Sequence, residues 1–105
     1  MTLTTTLLGS EPMLQSESRV ATEKPTPYMK QLCKHFGHKV ETAFDDERGR
    51  IVFAMGRCEL DATQPGLLVM RASAEDEAGL ARTRDVIGSH LERFGRRDGL
   101  SVSWK

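Results

Sequence analysis

Residues 27–39 read PYMKQLCKHFGHK and carry the clearest helical pattern in the 105-residue chain. At about 100° per residue, five apolar side chains fall within one arc of about 140°, which is typical of an amphipathic helix. They are Tyr28, Met29, Leu32, Cys33 and Phe36. Thr26 is predicted to cap this helix with Pro27 in its first position, and Gly37 is predicted to end it.

The segments on either side of this helix follow the two-residue alternation of β-strands. Strands are predicted at 18–22, 40–44, 51–62 and 67–70. Within 51–62 the apolar positions change parity at Gly56-Arg57, and glycine tolerates both a β-bulge and a tight hairpin turn. Either device would restore one apolar face along the whole segment.

A second amphipathic helix is predicted to start at Ser73, with acidic residues in its first turn and an apolar face over 80–94. Residues 100–104 alternate again and predict a final strand. The predicted fold is an α+β two-layer sandwich, a mostly antiparallel sheet with two amphipathic helices on one face. The expected order is β-α-β-β-β-α-β, with one more strand if Gly56-Arg57 is a hairpin turn.

The length and charge of the chain narrow the classes of protein to which it can belong. Lys plus Arg and Asp plus Glu both number 15, so net charge gives no reason to expect nucleic acid or membrane as a partner. Residues 1–17 lack apolar periodicity and are predicted to be a flexible extension, with 18–105 a single domain. The chain shows no signal peptide and no disulfide framework, which predicts a cytoplasmic protein with reduced thiols.

The two cysteines and three histidines are the candidate ligands of a metal or a haem. They are Cys33, His35, His38, Cys58 and His90. All except His35 would be needed for a four-ligand zinc site, yet no CxxC or HxxxH spacing supports one. The alternative is that Cys33 and Cys58 are buried as small hydrophobes and that His90 is a core histidine hydrogen-bonded to a carbonyl or a carboxylate. The spacing therefore leaves any metal or cofactor unidentified.

A basic cluster at the first helix is the candidate anion site. It comprises Lys30, Lys34, His35, His38 and Lys39. The alternative is a solvated helix face. The aromatic side chains nearby, Tyr28 and Phe36, lie on the buried side of the helix, so the stacking surface expected for nucleic acid is missing.

Three classes of function remain open. The first is a binding module that uses the basic cluster and some of the cysteines and histidines. The second is an interaction protein, monomer or homodimer, whose open sheet face or edge docks a partner and which has no small-molecule ligand. The third is a small cysteine-dependent enzyme. Binding is expected over catalysis, because no nucleophile–base spacing, glycine-rich phosphate loop or G-x-S-x-G motif is present.

Several motifs occur in a recognisable order along the chain. They are Arg19-Val20-Ala21-Thr22, residues 28–36, His38-Lys39, Gly49-Arg50-Ile51, Gly56-Arg57-Cys58-Glu59-Leu60, His90-Leu91-Glu92-Arg93-Phe94 and Trp104. As a set, over 18–105, they resemble the bacterial domain of unknown function 2218. The resemblance implies a small cytoplasmic bacterial protein and carries over no activity. Similar domains occur near or joined to siderophore-interacting reductases, so it also implies a link to iron or siderophore handling.

Overall fold

The computed structural model describes residues 13–105 as a five-stranded sheet packed against two helices. The elements are β1 (Leu14–Ala21), α1 (Pro25–Phe36), β2 (Glu41–Phe44), β3 (Arg48–Val52), β4 (Arg57–Asp61), β5 (Leu67–Ala74), α2 (Glu77–Phe94) and a 3-10 turn (Arg96–Asp98). All neighbouring strands are antiparallel, in the spatial order β1-β5-β4-β3-β2. The predicted class, a two-layer α+β sandwich, is confirmed.

The change of parity within 51–62 marks a hairpin turn, which is one of the two alternatives that the sequence left open. β3 ends at Val52 and β4 begins at Arg57, and the Phe53 N–H donates to the Gly56 carbonyl at 2.8 Å. Ile51 then pairs with Cys58, so the apolar positions of both strands share one face. Because of this turn, the segment predicted as one strand forms parts of two strands, β3 and β4.

Alternation along the strands gives the sheet one apolar face, and both helices cover it. Cross-strand partners on this face include Leu60 with Met70 and Val20 with Leu68, each at most 2% exposed. They belong to one core cluster together with the buried side chains of α1 and α2. The opposite face carries most of the charged strand residues, as is usual when an antiparallel sheet is covered on one side only.

The predicted apolar stripe of α1 is confirmed, because Tyr28, Met29, Leu32, Cys33 and Phe36 are all buried. The predicted start is wrong by two residues. α1 begins at Pro25 rather than Pro27, since a proline needs no N–H partner in the first turn of a helix. Thr26 does not cap the helix; its hydroxyl donates to the Asp46 carbonyl at 3.0 Å.

The predicted start of α2 at Ser73 is also wrong. Ser73 lies in β5, where it pairs with Gln15 on one side and Arg57 on the other, and these pairings carry the strand past its predicted end. Asp76 is the N-cap, and its carboxylate accepts a hydrogen bond from the Gly79 N–H at 2.7 Å. The side chain of Asp76 thereby satisfies one of the free donors at the start of the helix.

The predicted final strand does not form a ladder. Side chains 100, 102 and 104 are half-buried and their neighbours are exposed, so the alternation is present. However, the Val102 N–H donates to a carboxylate oxygen of Glu92 on α2 at 2.9 Å rather than to a strand. The hydrogen bonds to β1 come at the end of the segment, where the Lys105 N–H donates to the Glu17 carbonyl and the Ser16 hydroxyl donates to the Lys105 carbonyl.

The sheet begins earlier than the sequence predicts. β1 starts at Leu14, and Ser16 is a buried residue within it, so residues 14–17 belong to the sheet rather than to a flexible extension. The rest of the predicted extension, residues 1–12, lies outside the described residues. Within residues 13–105, neither helix is long and apolar enough to cross a membrane.

Candidate functional site

The exposed side of α1 and the end of α2 form a concave surface of about 560 Å³, which we call the basic groove. It is lined by Pro27, Lys30, Gln31, Lys34, His35, His38 and Phe94. The six lining residues from α1 and its exit recur at helical spacing on the side opposite the buried stripe. Four of the five predicted anion-site residues therefore share one depression, whereas Lys39 lies just beyond it.

The charge in the basic groove is partly balanced. The Lys30 ammonium forms an ion pair with the carboxylate of Asp46, whose side chain is 84% exposed. Exposed pairs of this kind contribute roughly 0–1 kcal/mol, so an incoming anion can compete with Asp46. Within the part of the chain that the structure describes, Lys34 has no carboxylate within 4.0 Å.

One wall of the basic groove continues into a cluster of rings that joins the two helices. The ring centroids of His35 and His90 lie 5.0 Å apart. Phe36 lies 4.8 Å from His90, and Phe94 lies 5.4 Å from His35. Phe53, from the hairpin loop, packs edge-on against Phe36 at 5.2 Å. The structure therefore brings together two candidate ligands that are 55 positions apart in sequence.

The orientation of His90 is set by its own helix. Its Nδ1 lies 2.7 Å from the carbonyl oxygen of Val86, one turn earlier. A carbonyl oxygen can only accept, so the Nδ1 of His90 carries the proton and donates it. The half-buried ring agrees with the hydrogen-bonded histidine considered from the sequence. In the neutral ring this bond places the proton on Nδ1 and the lone pair on Nε2.

The environment of His35 favours its neutral form. Loss of hydration lowers the pKa of His35 below its ordinary value, and the nearby basic groups act in the same direction. In order of effect these groups are His90, Arg93, His38 and Lys39. At neutral pH the ring of His35 is therefore uncharged more often than that of a histidine in water.

The two cysteines lie in the core, Cys33 on the buried side of α1 and Cys58 on β4. Both are free and fully buried. Burial raises the pKa of the Cys33 thiol to about 11, and it raises the pKa of Cys58 as well. Both thiols are therefore protonated at neutral pH, which removes the reactive thiolate that a cysteine-dependent enzyme would need.

The four side chains considered for a zinc cage do not converge. Cys33 and Cys58 are buried under α1, His38 is exposed past its end, and His90 is half-buried on α2. Among residues 13–105, no group of three or more His, Cys, Asp or Glu side chains lies close enough to hold a metal ion.

A second surface was missed from the sequence. On the open face of the sheet, four cross-strand partners form a row of alternating charge that we call the charged row. It runs Glu17, Arg71, Glu59, Arg50 across β1, β5, β4 and β3. Arg71 pairs with Glu17 at 3.2 Å. The exposed parity of these residues is visible in the sequence, but their alignment depends on strand register.

A family profile described as an uncharacterized protein conserved in bacteria, DUF2218, matches residues 17–105. The chain belongs to the DUF2218 family. Among solved structures, this DUF2218 chain is similar to the NMR structure of PA4090 from Pseudomonas aeruginosa, with 39% identity and a TM-score of 0.75. The match covers 89% of this chain and 96% of that one. No curated protein matches the DUF2218 chain.

The DUF2218 match begins within β1 and includes every residue of the basic groove, the ring cluster and the charged row. The family is bacterial and uncharacterised.

Proposed function

We propose that this DUF2218 domain is a non-enzymatic binding module that holds an anionic ligand in the basic groove. The observation that carries the proposal is that Lys30, Lys34, His35 and His38 line a single depression. None of the residues that line this depression is acidic. Point charges on long, mobile stems suit phosphate or carboxylate groups whose geometry is not fixed in advance.

The shape of the basic groove supports a ligand with an apolar part as well as a charge. Phe94 and Pro27 both line it. A ligand that places an anionic group beside Lys34 could therefore bury a ring or a short chain against Phe94.

Within this proposal we include the narrower role in iron or siderophore handling that the resemblance implies. An iron chelate with catecholate groups would bring negative charge and aromatic rings, which suit Lys34 and Phe94. We also propose that the protein acts in the cytoplasm, where its two free thiols would stay reduced.

The test is an NMR titration of the full chain with pyrophosphate and, separately, with the ferric complex of 2,3-dihydroxybenzoate. The variant Lys34→Gln/His38→Gln removes two lining side chains from the exposed side of α1. Lys24→Gln is the matched control, because Lys24 is paired with Asp98 at 3.7 Å and lies outside the basic groove.

We expect at least one of the two probes to shift the amide signals of 27–38. Its Kd should weaken at least about tenfold in the double variant and stay unchanged in Lys24→Gln, since two charge-assisted contacts are worth about 1.4 kcal/mol or more. Binding by the chelate alone would favour the iron role, and binding by pyrophosphate alone would favour a phosphorylated ligand. Absence of shifts with both probes would refute the proposal.

A second candidate function, self-association, is favoured by the charged row. A two-fold axis parallel to the strands, between β4 and β5, would place Glu17 opposite the Arg50 of another copy. The same axis would place Arg71 opposite its Glu59. Every position of the row would then face the opposite charge, as an isologous dimer interface requires.

Sedimentation at several concentrations tests this second candidate. Glu59→Arg should weaken the dimer, and Glu59→Arg/Arg71→Glu should restore it by exchanging the two charges. A chain that sediments as a monomer up to about 0.5 mM, well above the micromolar Kd of an ordinary specific complex, would exclude the dimer.

A further inference from the structure

The contact between His35 and His90 joins a residue that lines the basic groove to one that lies outside it. The two rings come from different helices, near the end of each, and their centroids lie 5.0 Å apart with an interplanar angle of 46°. His90 is not among the residues that line the basic groove, so it has no role in the anion site proposed above.

This separation matches two imidazoles that share one metal ion. A ring nitrogen lies about 1.1 Å from its centroid and binds zinc at about 2.0–2.1 Å, so each centroid lies about 3.2 Å from the metal. For N–metal–N angles between 90° and 180°, the two centroids are then about 4.5–6.4 Å apart. The observed 5.0 Å lies within this interval, near the value for a tetrahedral angle.

The hydrogen bonding of His90 prepares it to act as a ligand. Its Nδ1–H donates to the Val86 carbonyl at 2.7 Å, which selects the neutral tautomer whose lone pair is on Nε2. Metal-binding histidines commonly donate their second nitrogen to a backbone carbonyl in this way, and the bond holds the ring in position. His35 is exposed at the last turn of α1, so an ion in solution can reach its ring.

The surroundings of the pair determine which ions it can accept. Phe36 and Phe94 flank the rings, and the charged or titratable groups facing His35 are His90, Arg93, His38 and Lys39. Because these groups are basic, an ion held by the pair would gain from an anion or hydroxide in its remaining coordination positions. Uncharged imidazoles select borderline transition metals rather than Mg²⁺ or Ca²⁺.

We propose that His35 and His90 form a two-imidazole site for a divalent transition-metal ion such as Zn²⁺ or Cu²⁺, which would bridge the ends of α1 and α2. Two ligands from the chain leave the other positions open to water or to an anion. The buried thiols of Cys33 and Cys58 take no part in this site.

The experiment is a titration of the full chain with Zn²⁺ by calorimetry and with Cu²⁺ by electron paramagnetic resonance. The chain contains three histidines, so His38→Gln is a matched control for His35→Gln and His90→Gln. We expect one Zn²⁺ per chain in the wild type and in His38→Gln. The Kd should weaken at least tenfold in each of the other two variants.

The Cu²⁺ spectrum should show two coordinated nitrogens in the wild type and one in His35→Gln or His90→Gln. Metal should also raise the Tm of the wild type, because it would bind the folded state, in which the two helices are held together. If His90→Gln fails to fold, the exposed variant His35→Gln still decides the outcome against His38→Gln.

Equal Zn²⁺ affinity in wild type and His35→Gln, or a loss in His38→Gln as large as in the other variants, would overturn the site. Its failure is distinguishable from failure of the basic groove, since His90→Gln should leave pyrophosphate binding intact. Mg²⁺ should produce no shift in Tm, and a shift equal to that with Zn²⁺ would also overturn the proposal.

Discussion

The thiol of Cys33 lies directly over the backbone of Gly49, so closely that a Cβ added to that glycine would lie 2.9 Å from the sulfur. The same Cβ would lie 3.3 Å from the Cγ of Met29. A side chain at this point of β3 would push α1 away from the sheet. This contact therefore fixes the distance between the helix that carries the basic groove and the strands beneath it.

Gly49→Ala should destabilise the protein by about 1–3 kcal/mol, because the added methyl group overpacks a filled core. Urea unfolding measures the change. In a Cys33→Ala background, Gly49→Ala should lower the free energy of unfolding by less, because the sulfur is absent. The difference between the two costs, which is the coupling energy, should be at least about 0.5 kcal/mol. Equal costs in the two backgrounds would show that the sulfur does not set the contact.

The buried thiols should make stability fall at alkaline pH. Burial raises the pKa of Cys33 to about 11, whereas an unfolded thiol titrates near 8.5. Between these values the unfolded chain releases the proton that the folded chain keeps, so folding loses up to about 1.4 kcal/mol per pH unit. The contribution is fully present below about pH 8 and is lost as the pH rises toward 11.

Urea midpoints between pH 7.5 and 10.5 test this pH dependence. Cys33→Ala is the reference, because every other titratable group is common to both proteins. The loss of stability with pH should be shallower in Cys33→Ala than in the wild type. Parallel curves would mean that the Cys33 thiol is not protected in the folded state.

Asp76→Ala should destabilise the protein by about 1 kcal/mol, because it removes the side-chain acceptor at the start of α2. Glu77→Ala is the control. It also removes an acidic residue from the first helical turn, but it leaves the cap bond to Gly79 in place. A denaturant melt in which both variants lose the same stability would assign the effect to charge near the helix dipole rather than to capping.

Deletion of residues 1–17 should be more destabilising than deletion of 1–12. The longer deletion removes the pairs from Leu14–Ala74 to Glu17–Arg71 at the start of β1, together with the buried Ser16. The difference should exceed about 2 kcal/mol by thermal or urea unfolding, since it exposes one edge of β5 and part of the core. Equal stability would place the effective start of the domain at residue 18.

The sequence correctly predicted the elements that are determined by the spacing of nearby residues. The stripe of α1 follows from 3.6-residue spacing, and Gly37 ends that helix as expected. The change of parity near Gly56 correctly located the junction between β3 and β4, although bulge and hairpin are equally compatible with the pattern. A bulge and a hairpin differ in where the following residues pair in the sheet, and that pairing depends on the tertiary structure.

The failures have tertiary causes. Residues 100–104 alternate like a strand, but Glu92 of α2 takes the Val102 N–H that a ladder would use. Ser73 resembles a helix cap, yet sheet pairing on both sides holds it in β5. The approach of His35 to His90 depends on how two helices pack, for which spacing within either helix carries no information.

The pairing of the first strand with the last also constrains the route of folding. Glu17 of β1 lies opposite Arg71 of β5, a separation of 54 positions, whereas β2 to β5 are joined in succession through short hairpin connections. Local pairings form faster than distant ones, so the four-strand meander should assemble while β1 is still unpaired. During synthesis the N-terminal strand must therefore wait until β5 has left the ribosome, and until then it is an unpaired edge available to other chains.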